Sequence, residues 1–133
     1  MIDISDATAV TRVLLFWSGG KDAAWTLYRL QQDESVQVIG LLTTFDTASD
    51  RSAMHSVRRS LLKRQADVAD LPLIEIDMSW PRSNSTYQRI MNSAISELRD
   101  DLDIDALAFG DLFIEDIRSY REMQFSELEL DLM

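Results

Sequence analysis

The sequence predicts an α/β fold, a parallel sheet of about five strands with helices on both faces. Three observations carry this. Apolar runs and helix-spaced patterns alternate four times, in the order expected of βαβ units. The run Val36–Phe45 is nearly all apolar, as a strand buried on both faces must be. The length of 133 residues suits one domain, and such a chain buries about two-thirds of its unfolded surface.

The elements follow in order. Residues 1–11 read as a short leader, acidic where a signal peptide would be basic. Arg12–Trp17 is the first strand. Lys21–Gln32 is the first helix, with Ala24, Leu27, Tyr28 and Leu30 toward the sheet. Val36–Phe45 is the second strand. Ser52–Ala69 is helical, with Met54, Val57, Leu61, Gln65 and Val68 at three-to-four spacing. Leu71–Asp77 is the third strand. Thr86–Leu98 is the third helix, after a capping box of Ser85 and Gln88. Asp105–Phe109 is the fourth strand, ended by Gly110, and Ile114–Met123 the fourth helix. The domain proper spans 12–124. The tail, 125–133, holds Leu128, Leu130 and Leu132 with period two, a strand pattern that could join the sheet edge in its own subunit or in a neighbour, the latter giving a homodimer. A helical continuation is the alternative, since Leu128 and Leu132 are four apart.

Composition narrows the function classes. The content is 46% hydrophobic and 27% charged, that of a globular protein. No apolar run reaches the roughly 18 residues that span a membrane, and a cytoplasmic protein is expected. Cysteine is absent, which removes disulfides, thiolate zinc sites and persulfide chemistry. The net charge of −10 argues against broad nucleic-acid binding. The charge is uneven. Residues 51–65 carry Arg51, Arg58, Arg59, Lys63 and Arg64 with no acid, while residues 97–133 carry twelve acids against three arginines. The basic stretch suits a polyanionic small ligand; alternatively it is a solvated face paired with the acidic tail.

The most informative segment joins the first strand to the first helix. Ser18-Gly19-Gly20-Lys21-Asp22 places small residues and a lysine at a helix N-terminus, where unpaired N–H groups and the dipole favour a phosphate. Gly19 and Gly20 allow close backbone approach. It is not a Walker A loop, since Leu15 stands where Gly is needed and Asp22 where Ser or Thr is needed. No G-x-G-x-x-G is present either. A plain tight turn is the alternative.

Ligands of parallel α/β sheets sit beyond the carboxyl ends of the strands. Ser18–Ala23, Thr43–Asp46, Met78–Trp80 and Gly110–Phe113 all fall there. His55, the single histidine, lies one helical turn before Arg58 and Arg59, a set that could bind phosphate or neutralise developing charge. Asp111 and Asp22 are candidate Mg²⁺ ligands, although Asp111 is equally a helix N-cap. Glu115 more simply pairs with Arg118 one turn along.

The loop resembles the PP-loop of the ATP pyrophosphatases, S-G-G-x-D-S after the first strand. Met54-His55-Ser56-Val57-Arg58, Gln65–Leu73 and the long string Phe109-Gly110-Asp111-Leu112-Phe113-Ile114-Glu115-Asp116-Ile117-Arg118-Ser119-Tyr120-Arg121-Glu122 narrow the resemblance to the diphthine–ammonia ligase family, over about residues 12 to 122. It implies a three-layer HUP-type fold, ATP and Mg²⁺, and AMP-forming activation of a carboxylate that ammonia converts to an amide. In that picture Ser18, Gly19, Gly20, Lys21 and Asp22 hold the β- and γ-phosphates, and Ala23 belongs to the same nucleotide site. The backbone at Leu42 and Thr43 takes adenine. Lys21, His55 and Arg58 act on the phosphates or the acceptor, Gly110 borders the nucleotide, and Asp22 and Asp111 hold Mg²⁺. The carboxylate acceptor is not specified.

Two departures qualify it. Ala23 stands where the family has Ser; a hydroxyl bonded to a charged group is worth about 1.5–3 kcal/mol, so affinity falls by roughly ten- to a hundredfold. Family members also continue beyond the equivalent of Glu122 with a region that shapes the substrate side. The alternative function is therefore a nucleotide-binding module without turnover, or one dependent on a partner. A flavodoxin- or receiver-like domain fits less well, because the receiver's acidic cluster and strand-end lysine are not in place.

Overall fold

Side-chain alternation in β1 (Thr11–Phe16) sorts the molecule into two layers. Val13 and Leu15 enter one core, and Leu14 enters the other. The first core is closed by α1 (Lys21–Gln31) through Ala23, Leu27 and Leu30, and by α2 (Arg59–Ala69) through Leu62 and Ala66. The second is closed by α3 (Asn84–Leu102) through Met91 and Ile95, and by Phe125 and Leu128 just past α4 (Glu115–Gln124). The computed structural model describes residues 10–53, 56–79, 83–111 and 114–133.

The remaining strands are β2 (Val36–Asp46), β3 (Arg51–Ser52), β4 (Leu73–Met78), β5 (Ala106–Ala108) and β6 (Asp131–Leu132). β1 lies between β2 and β5, β4 pairs with the other edge of β2, and β6 pairs with β5, all parallel. The result is a three-layer α/β/α fold of HUP type, as the sequence predicted. From central β1 the chain moves outward to β2 and β4, then returns to the opposite side for β5 and β6. A crevice therefore opens at the carboxyl ends of β1 and β5, the topological switch point. β3 is antiparallel to the end of β2, with Phe45 opposite Ser52. Since β4 holds the other edge at Phe45, β3 occupies the β1 edge beyond the end of β1.

Several expectations shift. The first helix buries Ala23 rather than Ala24, and Tyr28, 54% exposed, stacks on Trp25 instead of facing the sheet. The second helix begins at Arg59, because Ser52 is taken by β3. Its inner stripe is Leu62 and Ala66; Leu61 and Val68 face outward. This phase is set by Arg59, whose guanidinium lies 4.0 Å from the Phe45 ring centroid and reaches Asp50, Glu75 and Asp77 at 2.6–3.0 Å. Burial opposes that charge, but the bonds to Asp77, Asp50 and Glu75 hold it above its ordinary value. Among the described residues, Arg59 and Lys63 of the basic stretch pair with β4 and the β2–β3 turn.

The cap of α3 also moves. Ser83 accepts from the Thr86 N–H at 3.2 Å, and Gln88 donates instead to the Gln124 carbonyl. In the tail, Ser126–Leu128 forms a 3-10 turn before β6, and Leu128, Leu130 and Leu132 join the second core. Asp131–Leu132 pairs with the β5 edge of its own chain, as a strand rather than a continued helix.

Candidate functional site

The turn after β1 is held from three directions. Trp17 N–H donates to the Leu42 carbonyl at 2.8 Å. The Thr43 hydroxyl donates to the Trp17 carbonyl at 2.7 Å. The Trp17 indole N–H donates to Gln65 Oε1 at 2.9 Å, and Gln65 Nε2 donates to the Gly19 carbonyl at 3.4 Å. Gly19 sits at φ +82°, and a Cβ there would stand 2.8 Å from Leu62 Cδ2. Gly20 caps α1 with backbone alone, so no capping side chain bonds the N–H groups of the first turn. Ser18 Oγ accepts from the Gly20 N–H at 3.2 Å, which leaves its own proton to donate.

A cavity of about 290 Å³ opens beside this turn, at the ends of β1, β2 and β5. Ser18, Asp22 and Ala23 line one side, and Leu42, Thr43 and Thr44 another. Ser52 and Ala53, at the end of β3, close the edge beyond β1. The far wall is Phe109, Gly110 and Asp111 with Tyr87, Phe16 and Arg121. A Cβ on Gly110 would stand 3.0–3.1 Å from the Asp22 and Ala23 backbone, so glycine lets the β5–α4 turn touch the first turn of α1. Phe109 packs 4.3 Å from Phe16, centroid to centroid. Arg121 stacks on Phe109 at 4.6 Å and bonds Asp111 at 3.3 Å. Burial pushes the Tyr87 phenol above its ordinary value; the Arg121 charge and a hydrogen bond with Thr44 pull the other way without cancelling it.

Seven candidate residues therefore converge: Ser18, Asp22, Ala23, Leu42, Thr43, Gly110 and Asp111. Gly19, Gly20 and Lys21 build the turn but do not line the cavity. Arg58 is not among the lining residues either; it is exposed and lies opposite Arg51 in an isolated bridge. His55, with Met54, Trp80, Leu112 and Phe113, lies outside the described residues. Sequence reasoning did not select Phe16, Ser52, Tyr87, Phe109 or Arg121 as site residues; Thr44 falls in the Thr43–Asp46 set it placed at the strand ends. Tyr87 and Arg121 enter from the far layer, and no spacing along the chain signals that meeting. Among the described residues no group of three acidic or histidine side chains forms a metal site. A divalent ion here would bind through one or two carboxylates plus ligand oxygens, as Mg²⁺ commonly does.

A family model for the diphthamide synthase N-terminal domain matches residues 11–130. The chain belongs to this family. No curated protein matches the chain. Diphthamide synthase N-terminal domains are PP-loop, ATP-utilising modules, and the glycine turn and the cavity beside it fall within the matched residues. Among the described residues, no helix of this family member is long and apolar enough to cross a membrane.

Proposed function

We propose that the protein binds ATP in this cavity and adenylates a carboxylate for amide formation with ammonia. The observation that carries the reading is the Ser18–Asp22 turn, clamped by Trp17, Thr43 and Gln65 and presenting an uncapped helix N-terminus beside the cavity. Its first-turn N–H groups and Lys21 would hold the β- and γ-phosphates. The backbone at Leu42–Thr44 would border the adenine. Asp22 and Asp111 would hold Mg²⁺ with the phosphates; it would offset their charge.

In the reaction proposed, a carboxylate oxygen attacks the α-phosphorus and pyrophosphate leaves with the electrons of the α–β bridge. Ammonia then attacks the acyl carbon, loses a proton, and expels AMP to leave the amide. His55 and Arg58 would act on the phosphates or the acceptor; Arg58 is exposed.

A second reading, nucleotide binding without turnover, is favoured by Ala23. It is only 3% exposed, yet it lines the cavity where a family hydroxyl would meet the phosphates.

Thermal melts with ATP and Mg²⁺ test the binding. At about a hundred times the dissociation constant the fold should gain about 2.7 kcal/mol. Lys21→Ala should lower the gain, and no shift at millimolar ATP would sink both readings. Release of AMP and pyrophosphate with a carboxylate and ammonia supports the first reading; binding without AMP release supports the second.

A further inference from the structure

We infer that Arg121 binds the α-phosphate of the nucleotide, an assignment that rests on the nucleotide reading above. Its guanidinium lies 4.6 Å from the Phe109 ring centroid and 5.9 Å from that of Phe16. Phe16 ends β1 and Phe109 follows β5, so the cation sits at the switch point, on the cavity wall beyond the sides formed by the glycine turn and Leu42–Thr44. A nucleotide with its terminal phosphates at the turn and its base at Leu42–Thr44 spans the cavity, and its α-phosphate, between the two, faces that wall. The contact of Gly110 with the Asp22 backbone keeps Asp111, the next residue, close to the first turn of α1.

The side chain is also incompletely satisfied. Arg121 Nη2 bonds Asp111 Oδ2 at 3.3 Å. Arg121 Nε and Asp111 Oδ1 are both buried without a hydrogen-bond partner among the described residues. The pair is one bond short of the two-bond fork that guanidinium and carboxylate ordinarily make. A buried donor without a partner is costly, and completing the fork to Asp111 Oδ1 relieves it, while the exposed part of the guanidinium on the cavity wall keeps donors for a phosphate oxygen. Asp111 and the two aromatic rings act as positioning groups, fixing the cation before the ligand arrives. Such preorganisation is what stabilises charge that grows on the α-phosphate oxygens as the carboxylate oxygen attacks and pyrophosphate departs.

Calorimetry with AMP and with adenosine tests the assignment, since the two differ only by that phosphate. Arg121→Met should bind adenosine as the unchanged protein does and AMP at least about tenfold more weakly. Arg121→Lys, which keeps the charge but not the fork, should fall between them, and it serves if the methionine variant fails to fold. Phosphorus NMR gives a second readout. The second ionisation of bound AMP should lie below its free value of about 6 in the unchanged protein and return toward it in Arg121→Met. Equal weakening of AMP and adenosine, or an unchanged preference for AMP, overturns the assignment alone. An unchanged protein that binds neither ligand removes the nucleotide reading and the assignment with it.

Discussion

Gly19 and Gly20 are neighbours with different reasons to be glycine. Gly19 combines φ +82° with a contact at 2.8 Å that any Cβ would make with Leu62, whereas a Cβ on Gly20 meets nothing closer than 3.5 Å. Gly19→Ala should therefore cost about 1–3 kcal/mol in denaturant unfolding, and Gly20→Ala should cost much less. Equal losses would show that φ at Gly19 is not the deciding factor. Tyr87 carries a pH dependence. Its phenol is raised by burial above the unfolded value of about 10. The stability this contributes is fully present below about pH 10 and is lost as pH rises through the folded value. Phenolate absorbance should show one tyrosine ionising late, and Tyr87→Phe should remove both that step and its share of the alkaline loss. A Phe variant that keeps the late step would assign it elsewhere. The glycines announced themselves in the sequence because a turn into a helix needs them. Tyr87 did not, because a tyrosine on an amphipathic stripe looks the same whether it faces a core or a cavity.

At the scale of the element, the caps and helix phases separate local signals from tertiary ones. The pattern S-x-x-Q pointed to Ser85 as the cap of α3, yet Ser83 accepts from the Thr86 N–H and the helix begins at Asn84. Ser83→Ala should cost about 1 kcal/mol, and Ser85→Ala within about 0.5 kcal/mol, in thermal melts. The reverse order would restore the capping box. The second helix offers two apolar stripes one residue apart, Leu61 with Val68 and Leu62 with Ala66. Only the latter faces the sheet, because Arg59 must reach Glu75 and Asp77 across Phe45. Periodicity located the helix; partners distant in sequence set its rotation.

For the whole molecule, the last nine residues test how the sheet is finished. Phe125, 2% exposed, and Leu128, 6% exposed, seal the second core before β6 pairs with β5. At about 1.5–3 kcal/mol for each large side chain buried, a chain ending at Gln124 should lose about 3–6 kcal/mol by chemical denaturation. Equal stability of the two chains would mean that the segment packs elsewhere in solution. β5, only three residues long, lies between β1 and β6; its alanines face the first core and Leu107 the second.

By itself the sequence determined the strand–helix order, the parallel sheet and the glycine turn at a helix start. Each of these follows from interactions within a few residues: apolar periodicity, helix-end N–H groups and the conformational freedom of glycine. The convergence of Ser18, Thr43 and Gly110 was legible too, since strand ends of such a sheet meet on one edge. Only the tertiary structure decided that β3 closes the cavity, that Gln65 clamps the turn, and that Arg121 and Tyr87 complete the far wall. The contacts of Gln65 with Trp17 and Gly19, of Tyr87 with Thr44 and of Arg121 with Phe16 join residues 43 to 105 positions apart. Long-range partners are selected by shape and burial after the layers pack, and no pattern in the local sequence records them.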